Sequence, residues 1–237
     1  MLEWTDRWKE LRRSLNLFRA AEPEVELVAL TQPVGRFKEL CTPETLPGFT
    51  ARISRESKGT MEDDLRLNRD LIRWGHTTPL QALQFDFWID GITKTLQTQW
   101  VRHKTGIGWV FRSSRFVPAS GNRFVYSTYD YIDDPEVVEA LLREDEAAAK
   151  EAIARYERKR QLGASKEDSR KIMPVQYNTP CYCYVNSREL RLIFSLRFKK
   201  DAEWEIRRLQ KMLLDLVMEH APSLFEDLAE IAAKIIP

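Results

Sequence analysis

Cysteine and histidine are scarce in this 237-residue chain, with three of each. Cys181 and Cys183 are two apart, so they share a face of a strand but lack the C-x-x-C spacing of a zinc or redox site; Cys41 is remote from both. His76, His103 and His220 are scattered. An odd number of thiols and dispersed imidazoles argue against a disulfide framework and against a metal site, leaving the cysteines as small apolar fillers. Charge of one sign is missing too. Lys plus Arg is 37 against 36 for Asp plus Glu, whereas a dedicated nucleic-acid binder carries a clear excess of base, so any basic site must be local. "MLEWTDRWKELRR" has no apolar signal region and no run approaches a membrane span, which predicts a cytoplasmic protein without a membrane partner.

What is present is enough apolar material, 43% of residues, for a sizeable core. Residues 6–20 read as an amphipathic helix with Trp8, Leu11, Leu15 and Phe18 on one stripe. "EVELVALT" alternates Val25, Leu27 and Ala29 against Glu24, Glu26 and Val28, a strand pattern. Pro33 to Gly59 reads as loop and short helix, and Thr60 with Asp63 as a capping box for a helix to about Trp74. "LQFDFWI" is the clearest strand, with Leu83, Phe85, Phe87 and Ile89 on one face. Ile92, Leu96 and Trp100 have helical spacing; Pro135 opens a long helix to about Gln161, with a break expected near Arg143 to Asp145. Ser165 with Asp168 caps a short helix, "VQYNTPCYCYV" is another strand, and the remainder is helical. The pattern predicts one α+β domain over residues 1–237, with a mixed or antiparallel sheet flanked by helices and a helical extension at about 1–22.

Three patches carry chemistry. "GHTTP" (Gly75 to Pro79) joins a helix to a strand, either as a simple C-cap with Pro79 opening the strand or as a ligand loop. "RHKTGIGWVFRSSRF" (Arg102 to Phe116) concentrates guanidinium, imidazole, ammonium and hydroxyl groups beside Trp109, Phe111 and Phe116 around two glycines. A solvated basic loop, a nucleic-acid patch and a pocket for a phosphorylated ring compound all fit it; forked guanidiniums and close backbone N–H groups suit phosphate. "NSRELRLIFSLR" places Arg197 in register with Leu190, Ile193 and Phe194, where it either snorkels or reaches into a pocket, while Arg188 and Arg191 lie on another face.

Together with "TARIS" (Thr50 to Ser54), these segments, in order, resemble the flavin-dependent thymidylate synthases from about Phe49 to Leu228. "GHTTP" is similar to that family's Gly-His-x-Ser/Thr-Pro, "RHK…SSRF" to its Arg-His-Arg…Ser-x-Arg-Tyr/Phe, and "VNSRELRLIFSLR…AEWEIR" to its closing motif. The resemblance implies the family's fold and an FAD-dependent methyltransferase, a homotetramer with active sites between subunits. Such an enzyme reduces FAD with NADPH and carries the methylene of methylenetetrahydrofolate to C5 of dUMP, with no cysteine nucleophile. On matching positions, His76, Thr78, Arg102, His103 and Lys104 would contact FAD, joined by Asn186 and Arg188 from another subunit. Gln99, Ser113, Ser114, Arg115, Arg170 and Arg197 would hold the nucleotide, with Arg197 and Gln99 at the reacting base.

The departures bear on specificity. Lys104 replaces an arginine, the segment to Ser113 is one residue longer, and "TGIGWVF" lacks the polar residues that usually sit near the sugar. Leu80, Gln81 and Ala82 replace Phe-Glu-His, Leu192 stands where asparagine is common, and Asp201 where histidine occurs. Alternatives therefore stay open: C5 methylation of UMP in a modified-nucleoside pathway, a non-catalytic flavin-binding paralogue, or a nucleic-acid module whose binding would weaken steeply with salt.

Overall fold

A computed structural model describes residues 6–235. Its centre is a four-stranded sheet, antiparallel throughout, in the order β1 (Glu24–Leu30), β2 (Gln84–Asp90), β4 (Cys181–Asn186), β3 (Ile107–Phe111). β2 follows the expected alternation, and Leu83, Phe85, Phe87 and Ile89 have no exposed surface. Phe87 faces Cys183 across the β2–β4 ladder and Trp109 faces Cys183 across β3–β4, so the two thiols fill the middle of the buried face. Burial pushes the Cys181 thiol up to about 12 and Cys183 well above its ordinary value. In β1 a bulge between Leu27 and Ala29 breaks the simple alternation, leaving Ala29 exposed and turning Leu30 inward.

Helices α4 (Lys94–Trp100), α7 (Ser187–Arg197), α8 (Trp204–His220) and α9 (Glu226–Ile235) contribute to the core on the buried face. Phe225 lies 6.0 Å from Phe85 and 5.9 Å from Phe194, ring to ring, pinning α7 and the α8–α9 corner to the sheet. α3 (Met61–Arg73) starts with the expected capping box, Thr60 and Asp63 each accepting from the other's backbone N–H. It ends in a Schellman turn: Gly75, at φ +74°, and His76 donate to Ile72 and Leu71. Beyond it the chain makes a 3₁₀ turn, Thr78–Ala82, so the strand begins at Gln84 and not at Pro79.

A second apolar cluster joins Leu17, Phe124 and Tyr126 to the long helix α5 (Pro135–Gln161). The expected helix over 6–20 contracts to α1 (Lys9–Ser14), and the first five residues lie outside the described ones. Asn16 and Arg19 adopt positive φ, which turns Leu17 and Phe18 down onto α5 instead of continuing the helix. α5 runs unbroken, against the break expected at Arg143 to Asp145. That polar stretch is stapled from outside: Glu146 accepts from the Phe18 N–H at 2.9 Å and pairs with Arg143 and Lys150, while Asp145 accepts from the Tyr129 hydroxyl.

Candidate active site

The turn after α4 delivers His103 to a buried position, its N–H bonded to the Trp100 carbonyl. Arg197, the last residue of α7, reaches it because Leu190, Ile193 and Phe194 bury the same stripe of that helix. Nε and Nη2 of Arg197 lie 3.3 and 3.2 Å from His103 Nε2, and Nη2 also approaches the Gln99 carbonyl at 3.4 Å. On its other side, His103 Nδ1 is 3.7 Å from the buried carboxyl of Glu189. Burial lowers the pKa of His103, helped by the charge of Arg197, and burial raises that of Glu189 against the attraction of Arg188. Gln99 turns its side-chain amide to Glu203, the first acid of "AEWEIR".

Beside this cluster opens a cleft of about 700 Å³ lined by Arg102, His103, Lys104, Asn186 and Arg188. Asn186 caps α7, its Oδ1 accepting the Glu189 N–H at 2.9 Å, and its own N–H donates to the Gly106 carbonyl. Gly106 has φ +69°, and a Cβ there would fall 2.1 Å from Asn186 Nδ2, so only glycine lets the "RHK" segment lie against the α7 cap. Among the described residues no carboxylate is within ion-pair distance of Arg102, Lys104 or Arg188. Three cations around one hollow, against the single buried carboxyl of Glu189 on its wall, make a site suited to a diphosphate or a similar polyanion.

His76 and Thr78 do not line that cleft. They open into a second groove of about 650 Å³, with Thr50, Arg52, Trp74 and Ala82. The 75–82 turn is the wall between the two, since Thr77 and Gln81 line the first cleft. Arg52, from "TARIS", is held by the fully buried Asp64 at 2.8 Å, whose pKa burial raises. The residues matched to FAD therefore divide, five on one side of the turn and two on the other; Asn186 and Arg188 share the first cleft with Arg102 to Lys104 of the same chain.

The residues matched to phosphate gather elsewhere, at the end of β3. That strand was hidden in the basic stretch: its charged residues flank Ile107–Phe111 instead of occupying it, and Gly108 makes room for the Tyr184 ring, which a Cβ would meet at 2.3 Å. Ser113 Oγ accepts from the Arg115 N–H at 3.3 Å, and Arg170 donates to Ser114 Oγ at 2.8 Å. Arg115 is exposed and paired with Glu167. Glu189 and Glu203 were not singled out by sequence reasoning, although they lie inside the quoted "NSRELRLIFSLR" and "AEWEIR".

Residues 38–223 match the family described as thymidylate synthase complementing protein. The flavin-dependent thymidylate synthase of Sulfurisphaera tokodaii is 30% identical over 191 residues, covering 77% of this chain and 72% of that protein. The protein of the same description from Geobacter sulfurreducens is 28% identical over 193 residues, 78% and 82% of the two chains. That from Nitratidesulfovibrio vulgaris is 26% identical over 224 residues, covering 86% of each.

Proposed function

The chain belongs to the thymidylate synthase complementing protein family, and from that membership we propose that it methylates C5 of a uridine 5′-monophosphate, dUMP first, with FAD as cofactor. Flavin-dependent thymidylate synthesis is the general activity; methylenetetrahydrofolate as carbon donor, NADPH as reductant and a homotetramer with shared active sites are the finer parts of the reading. The observation that supports it most is the cleft at Arg102, Lys104 and Arg188, whose unpaired cations suit a dinucleotide diphosphate next to the His103–Arg197 pair.

When bound, the flavin supplies the two-electron chemistry. The chain's own part is recognition and orientation. Arg102, Lys104 and Arg188 would neutralise the diphosphate, and Asn186, fixed by Gly106 and the α7 N-terminus, would hold its place. Arg197 spends Nε and Nη2 on His103 and Gln99, which fixes its plane and leaves Nη1 to donate to a pyrimidine carbonyl. Ser113, Ser114, Arg115 and Arg170 would take the phosphate. The resemblance has Asn186 and Arg188 come from another subunit; here they line one cleft with Arg102 to Lys104, and a site that used His76 and Thr78 as well would draw those two from a different copy of the chain. The buried, high-pKa thiols of Cys181 and Cys183 have no place in the reaction. No helix among the described residues is long and apolar enough to cross a membrane, and a cytoplasmic site of action is part of the proposal.

Methylation of UMP is the second reading. β3 supports it, because an apolar strand, Ile107–Phe111, occupies the segment where polar side chains would choose between sugars. A competition assay with dUMP, UMP, methylenetetrahydrofolate, NADPH and FAD decides between them by product mass. Flavin bound with neither nucleotide methylated would reject both.

A further inference from the structure

Phe124 has no exposed surface, and residues 19–21 satisfy both of its backbone polar groups. Its N–H donates to the Arg19 carbonyl at 2.9 Å, and its own carbonyl accepts from the Ala21 N–H at 2.8 Å. On the opposite side the Val125 N–H donates to the Gln176 carbonyl and the Asn178 N–H to the Arg123 carbonyl, both at 2.9 Å. Residues 123–125 are thus the middle of a three-ply layer, parallel to the ply at Ala20 and antiparallel to that at Tyr177. Side chains fasten the outer ply. The Phe18 ring stacks on Phe124 at 6.2 Å, the Tyr126 hydroxyl donates to the Phe18 carbonyl at 2.8 Å, and the Arg19 guanidinium donates to the Ser120 carbonyl.

This layer stands at the root of the residues matched to phosphate. Ser113, Ser114 and Arg115 lead into its middle ply, and Arg170 shortly precedes its far ply. The loop's own ties to the Arg170 side are side-chain contacts: Arg170 with Ser114, Arg115 with Glu167, and Lys166 with the Phe116 carbonyl at 3.1 Å. Exposed contacts of this kind hold a loop weakly, so its place is set by its backbone ends. One end is the Arg112 N–H on the Pro180 carbonyl at 2.9 Å; the other is the layer. An unpaired backbone group on buried Phe124 is costly, so the middle ply keeps its position only while residues 19–21 cover it. The cover is itself strained, with Asn16 at φ +45° and Arg19 at φ +50°, and Glu146 of α5 holds it down through the Phe18 N–H.

We propose that residues 17–21 are a strap that positions the nucleotide loop, with Phe18 and Arg19 as positioning residues that keep Ser113 to Arg115 at the spacing from Arg170 that a substrate phosphate requires; this rests on the uridylate reading above. The strap lies ahead of residues 38–223, so the family match assigns it no role. Its partners Ser120, Phe124, Tyr126 and Glu146 line neither hollow beside the 75–82 turn, so its release is felt by the nucleotide and not by the flavin.

The test combines hydrogen exchange with calorimetric titration of FAD, and of dUMP and UMP on the flavin-loaded protein, for full-length wild type, Phe18→Ala and Arg19→Asn. Asparagine tolerates the left-handed backbone and is too short to reach Ser120. Faster exchange at the Phe124 and Val125 amides marks release of the strap. A released variant should bind the preferred nucleotide about 5- to 20-fold more weakly and raise KM more than it lowers kcat, with FAD affinity within about twofold of wild type. If Phe18→Ala fails to fold, Phe18→Leu carries the same comparison. Wild-type nucleotide affinity in a released variant would overturn the positioning role and leave the uridylate reading standing. A parallel loss of nucleotide and flavin affinity, or unchanged exchange in both variants, would overturn it as well. A wild-type protein that binds FAD and neither nucleotide overturns the uridylate reading and the strap's role with it.

Discussion

His103 Nε2 sits between two donors of Arg197, at 3.3 Å from Nε and 3.2 Å from Nη2, so this nitrogen is an acceptor and carries no proton. The imidazole hydrogen is then on Nδ1, pointing toward Glu189. A neutral ring in this tautomer fixes the plane of the guanidinium, and protonating it would set two cations against each other.

The pH consequence has a definite sign. His103 has a folded pKa below its ordinary 6.5, so the unfolded chain takes up the proton first and stability falls as pH drops below that value. His103→Gln, which cannot titrate, should lose less stability than wild type between pH 7 and pH 5 in parallel denaturation series. An equal loss in both would show that the ring is not held neutral.

Glu205 behaves in the opposite sense. It is bonded to the Thr93 N–H at 2.7 Å and the Thr93 hydroxyl at 2.5 Å, and burial raises its pKa from 4.5 to about 7. The folded state keeps a proton that the unfolded state has lost, so stability is lost as pH rises from 4.5 to 7, by about 3 kcal/mol over the interval. Glu205→Gln imitates the protonated acid and should flatten that part of the stability–pH curve.

Replacing Cys41, Cys181 and Cys183 together by alanine should cost stability, about 1–3 kcal/mol in sum, through lost packing of buried groups. Turnover per folded molecule should survive. A folded triple variant with no activity would reveal a covalent thiol step.

Gly106→Ala should hurt the flavin more than the fold. The new methyl meets Asn186 Nδ2 at 2.1 Å in backbone at φ +69°, and the strain, about 1–2 kcal/mol, is relieved by displacing Asn186. Flavin titration should show a loss of affinity comparable to that of Arg188→Ala; an unchanged affinity would place Asn186 outside the cofactor site.

Where one periodicity governed a segment, it could be read directly. β2 and α7 are buried on the faces that alternation and helical spacing predict, and α3 begins at its capping box. The family and its cofactor class were legible from the ordered motifs. β3 was obscured because its five residues are too few to show alternation and their role is set by β4, a partner about seventy residues away. α1 ended early for a similar reason: the apolar cluster on α5 draws Leu17 and Phe18 out of the helix. Glu189 stayed hidden because a charged residue on a helix gives no sign, within its own segment, of whether it meets water or another charge.

The 75–82 turn has a further consequence as a partition. Alternate residues of one short segment face opposite hollows, His76 and Thr78 one way, Thr77 and Gln81 the other. A guest in either hollow that narrows the conformations of this segment alters the welcome in its neighbour, and linkage requires the factor to be equal in both directions.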